Sequence, residues 1–83
     1  MEDKYKGHVI ESGSWLREDT GRFKCCVSVL RHSGDSTTVS PPNFLEEEFD
    51  TLDEAERFGV RFCRDVIDGR VRKWWAGGQD PSR

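Results

Sequence analysis

Three cysteines and two histidines are the residues best able to do chemistry here: Cys25, Cys26, Cys63, His8 and His32. Nucleophilic catalysis needs a histidine paired with a serine or cysteine and an orienting carboxylate, and neither histidine stands at a recognisable motif distance from such a set. A structural metal needs thiolates or imidazoles at short fixed spacings, and the chain has no C-x-x-C and no paired histidines. No Gly-rich phosphate loop precedes a helix. The run Glu46-Glu47-Glu48 fits a solvated strand edge that discourages edge-to-edge pairing better than a ligand set. The expectation is a protein that is not an enzyme and uses no cofactor and no metal. The odd cysteine count is not a disulfide framework, so the thiols are expected to be reduced and partly buried.

A second kind of chemistry lies in "RVRKWW", residues 70–75, where basic and aromatic side chains alternate with little else. One tryptophan can fold back over an open end of the core, as a small domain requires. Two adjacent tryptophans on an extended segment point to opposite sides, so one of Trp74 and Trp75 is expected to stay accessible. Accessible tryptophan marks contact surfaces. With Trp15, these two are the candidate protein-binding residues.

The elements that must position these groups are legible in part. At 83 residues the chain is one domain with room for one two-layer core. "YKGHVIESGSWL" (5–16) has strand propensity, with Gly7 and Gly13 suggesting a bulge or close backbone approach; its register is left open. "REDTGR" (17–22) has hairpin-turn chemistry. In "FKCCVSVLR" (23–31), Phe23, Cys25, Val27 and Val29 alternate with Lys24, Cys26, Ser28 and Leu30, and the first set should face the core. After a second turn, "TTVS" and "NFLEEEF" flank Pro41 and Pro42. Prolines cannot donate to a central ladder, so this third strand must be short, interrupted or at an edge.

Residues 49–69, "FDTLDEAERFGVRFCRDVIDG", are a helix. Thr51 and Glu54 have the spacing of a capping box. Leu52, Ala55, Phe58, Gly59, Phe62, Cys63, Val66 and Ile67 form one apolar face, and Gly69 is the stop. Gly59 inside that face suggests close approach to the sheet. The expected fold is α+β: a three-stranded antiparallel sheet packed against one C-terminal helix, followed by a basic aromatic tail. Residues 1–75 form a single β-β-β-α domain, and 76–83 a flexible tail.

Three strands and then "F-D-T-x-x-E-A" resemble the β-β-β-α fold of plant ethylene-response-factor DNA-binding domains and of the arm-binding domain of some phage integrases. The matching residues are Tyr5, Lys6 and Gly7, then Phe49, Asp50, Thr51, Glu54 and Ala55. The chain also resembles small uncharacterised bacterial proteins with the same pattern. The resemblance implies an exposed sheet face that enters the major groove, with Lys6, His8, Trp15, Arg17, Arg22 and Lys24 as the candidate nucleic-acid contacts.

Charge ranks that alternative second. The net charge is −3. The outward parity of the second strand carries one cation, Lys24, and the third strand carries three glutamates that repel phosphate. The tail after Gly69 is the one net positive segment. The favoured expectation is a binding module whose partner is another protein or a second copy of itself. No apolar run approaches a bilayer span, and "MEDKYKGHVI" lacks a signal-peptide layout, so a cytoplasmic protein with no membrane partner is expected.

Overall fold

A computed structural model of the protein describes residues 1–74. Five strands precede one helix: β1 (Glu2–Tyr5), β2 (His8–Arg17), β3 (Arg22–Ser33), β4 (Ser36–Val39), β5 (Asn43–Phe49) and α1 (Leu52–Ile67). Every strand pairing is antiparallel. The α+β class and the single helix after the sheet therefore stand, while the expected count of three strands is corrected to five.

The count differs at two places, each for a local reason. The first expected strand is a hairpin. Lys6 (φ 48°) and Gly7 (φ 79°) both lie in the left-handed region and form its two-residue turn. Positive φ at both central positions is what a tight turn matched to strand twist requires. Gly7 is thus a turn residue and not a bulge. The third expected strand is an edge broken in two by its prolines. β4 pairs with the end of β3 (Leu30↔Val39), and β5 with its beginning (Phe23↔Phe49). At the break, the Ser40 amide donates to the Val29 carbonyl at 2.8 Å, and the Val29 amide donates to Ser40 Oγ at 2.9 Å. A buried hydroxyl supplies the acceptor that the interrupted ladder lacks.

α1 covers one face of this sheet. Its start is held by Thr51, whose Oγ1 accepts from the Glu54 amide at 3.1 Å. It ends in a Schellman arrangement: the Gly69 amide donates to the Val66 carbonyl and the Arg70 amide to the Asp65 carbonyl. The core between the layers joins Ile10 of β2, Cys25, Val27 and Val29 of β3, Leu45 of β5, and Ala55, Cys63 and Val66 of α1. The alternation in β3 is as expected. Gly59 sits directly over β2 and β3, where a Cβ would lie 2.5 Å from Cys25 Sγ, 2.7 Å from Val27 Cγ1 and closer still to Ser12 Oγ. Ser12 is buried and donates to the Glu56 carbonyl at 2.9 Å, so the approach is hydrogen-bonded as well as close.

Beyond Gly69, residues 70–74 follow without regular structure. The expected flexible tail, 76–83, lies outside the described residues, as does Trp75. Among the described residues no helix is long and apolar enough to cross a membrane.

Candidate functional site

The helix leaves the opposite face of the sheet uncovered. In an antiparallel ladder, directly opposed residues share a face. Three cross-strand rows define the middle of the open side: Glu11–Ser28, then Gly13–Cys26–Phe44, then Trp15–Lys24–Glu48. β5 carries a bulge here. Between the Cys26↔Phe44 and Lys24↔Glu48 pairs it spends three residues against one of β3. The bulge leaves Glu46 and Glu47 exposed at the edge while Leu45 reaches the core. Phe44 therefore stands on the open face, 62% exposed. Trp15 meets it edge to face, with ring centroids 5.6 Å apart, and is itself 39% exposed. Beside this pair the surface sinks into a depression of about 470 Å³ lined by Glu2, Glu11, Gly13, Cys26, Ser28 and Pro42. Its floor is low because Gly13 has no side chain and Ser28 has a small one.

The cations that the DNA-binding resemblance singles out are distributed differently. Lys6 Nζ lies 2.6 Å from Asp68 Oδ1. The Tyr5 hydroxyl donates to the other oxygen of Asp68 at 2.7 Å, and Arg64 lies over the Tyr5 ring while holding Asp3 through two hydrogen bonds. This cluster ties β1 to the end of the helix. The bonds from Lys6 and Tyr5 hold the Asp68 carboxyl below its usual range, and Asp68 raises both the Tyr5 and the Lys6 pKa through the same contacts. Arg17 is bound to Asp19 and lies 3.2 Å from Glu48. Arg22 lies 3.2 Å from Asp50 and 3.8 Å from Glu48, and also donates to the Glu48 carbonyl. The His8 ring is bonded to the Lys6 carbonyl in the hairpin turn. Of the five polar candidates, Lys24 alone has no bonded partner among the described residues and stands on the open face beside Trp15.

Trp74 lies elsewhere. Its ring stacks on Phe62 at 5.9 Å and its Nε1 donates to the Pro41 carbonyl at 2.8 Å, so it packs back against the core. Trp15 and Trp74 do not form one surface. The cysteines are free thiols. Cys25 and Cys63 are buried in the core, and burial pushes the Cys63 thiol up to about 12. Cys26 is half-buried on the open side, its pKa also raised by desolvation. A thiolate nucleophile is disfavoured at all three positions.

Sequence reasoning missed Phe44, Glu11 and Gly13 as parts of this face. Phe44 had no usable signal, because its side is decided by the pairing of β5 with the distant β3. The row Gly13–Cys26 could be found only once the β2–β3 register was known. No family model matches this chain, and neither does any curated protein or solved structure.

Proposed function

We propose that the protein is a small non-enzymatic binding module that docks another protein chain on the uncovered face of its sheet, with Trp15 and Phe44 as the anchors. The observation that carries this reading is the exposed Trp15–Phe44 pair on a face whose arginines are already occupied by carboxylates. Exposed aromatic side chains on a surface whose arginines are paired with its own carboxylates are the pattern of a protein interface. Phosphate binding needs the reverse: several uncommitted cations on the docking face. Arg17 and Arg22 would each have to leave a carboxylate to contact a backbone phosphate. The free thiols suit a reducing, cytoplasmic setting. Trp74 supports the fold in this reading and does not anchor the partner.

Two measurements test the proposal together. A photoreactive benzoylphenylalanine in place of Phe44, activated in the source cell, is expected to give protein adducts. The same group in place of Arg61, exposed on the far side of α1, is expected to give none. A titration of labelled duplex DNA at low and then moderate salt is expected to show weak, salt-labile binding at most. Absence of adducts at position 44, or tight duplex binding that survives moderate salt and disappears in an Arg22→Ala, Lys24→Ala variant, overturns it.

A further inference from the structure

We infer that the occupant of the open sheet face is a second copy of this chain, related by a two-fold axis that runs across the strands along the Gly13–Cys26–Phe44 row. The inference rests on reading that face as a protein-docking surface and adds the partner. It follows from how relief and charge are arranged on either side of the row. On one side stand the protruding Trp15 and the unpaired Lys24. On the other lie the depression beside Gly13 and Ser28, and Glu11, which has no ion-pair partner among the described residues. Each side holds what the other lacks.

A two-fold axis along the row exchanges the two sides. It lays Trp15 of each copy over Glu11 of the other, on the wall of that copy's depression. A space of about 470 Å³ lies within the range of pockets that hold small ring systems. Lys24 of each copy comes over Ser28 of the other, one strand spacing, about 4.8 Å, from Glu11. Its long side chain spans that gap, so both unpaired charges are neutralised twice over. Phe44 lies on the row itself and meets Phe44 of the other copy. The contact is reciprocal, as a closed two-fold interface must be. The bound carboxylates of Arg17 and Arg22 remove the repulsion that two free arginine pairs would bring to the rim. The contact is small: only β2 and β3 extend well to both sides of the row, so two faces of roughly 30 by 10 Å bury about 600 Å² in all, in the range of weak, reversible contacts.

Sedimentation of the full chain from low micromolar to submillimolar concentration tests this. The expected result is a reversible monomer–dimer equilibrium. Lys24→Glu and Glu11→Lys should each weaken the dimer by roughly tenfold or more, and the double variant should restore it, because the swap rebuilds both ion pairs. Gly13→Leu fills the depression. A Cβ at Gly13 meets nothing within 4 Å, so this variant should fold at least as well as the parent and still fail to dimerise. Circular dichroism melting of each variant separates lost dimer from lost fold. A chain that stays monomeric throughout overturns the second copy alone, and the adducts at position 44 still decide the docking face. A dimer that none of the three single variants weakens lies on another surface and likewise overturns the second copy as the occupant of this face, leaving the docking face to the adducts at position 44. Single variants that weaken a dimer which the double variant does not restore overturn the proposed axis.

Discussion

Replacing Gly59 with alanine sets two effects of opposite sign against each other. In a solvent-facing helix the change stabilises by about 1 kcal/mol, because glycine has more backbone freedom to lose. At Gly59 the new methyl would lie 2.5 Å from Cys25 Sγ, 2.7 Å from Val27 Cγ1 and closest to Ser12 Oγ. Ordinary contacts between such atoms are roughly 3.5–4 Å, so α1 must lift by about 1 Å or its neighbours must move. The neighbours have nowhere to go: Ser12, Cys25 and Val27 are all buried in the layer beneath. Lifting the helix also stretches the 2.9 Å bond from Ser12 to the Glu56 carbonyl and loosens Ala55, Cys63 and Val66. Overpacking of this kind costs about 1–3 kcal/mol, and three simultaneous clashes place it near the upper end. The net expectation is a loss of about 2 kcal/mol, which for a domain of this size lowers the melting temperature by roughly 8–16 °C. Thermal unfolding followed by circular dichroism measures it. Ser12→Ala removes the nearest atom, so the double variant should be less destabilised than the sum of the two singles by about 1 kcal/mol. A Gly59→Ala protein that melts at or above the parent temperature would refute the close approach of helix and sheet.

The helix start and the cluster around Asp68 make further claims. Thr51→Ala removes the acceptor for the Glu54 amide and should cost about 1 kcal/mol in urea unfolding, with the slope unchanged. Asp68 has a lowered folded pKa, so its contribution is complete above the unfolded aspartate value of about 3.9 and is lost as pH falls through the lower folded value. Tyr5 and Lys6 have raised values, so theirs is complete below about pH 10 and lost as pH rises through the folded values. The stability difference between parent and Asp68→Asn should therefore be flat near neutrality and shrink at both extremes; a constant difference would show that the three groups are not coupled. A chain ending after Gly69 loses the Phe62 stack and the bond to Pro41, and should be less stable than one ending after Trp74 by about 1–2 kcal/mol. Equal melting of the two would place Trp74 in solvent.

What the sequence determined by itself is what neighbouring residues decide between them. The T-x-x-E spacing and the three-to-four-residue apolar period place α1, because a cap and a helical face are built within a few turns of chain. Gly69 ends it for the same reason. The alternation of Phe23 to Leu30 assigns the inner face of β3, and Pro41 and Pro42 confine their strand to an edge. Tertiary structure decided everything that depends on counting residues across a gap. Whether Gly7 bends a strand or closes a turn depends on whether β1 has β2 to pair with. The side on which Phe44 stands depends on its pairing with Cys26 across the β3–β5 ladder, since a slip of one residue would reverse the strand's faces. The cations follow the same logic. Arg17 and Arg22 read in sequence as uncommitted charges, yet Glu48 and Asp50, more than twenty-five residues away, come to lie against them. Local pattern sets which element a residue belongs to; only the register between distant strands sets what that residue faces, and the character of the open sheet face is a property of register.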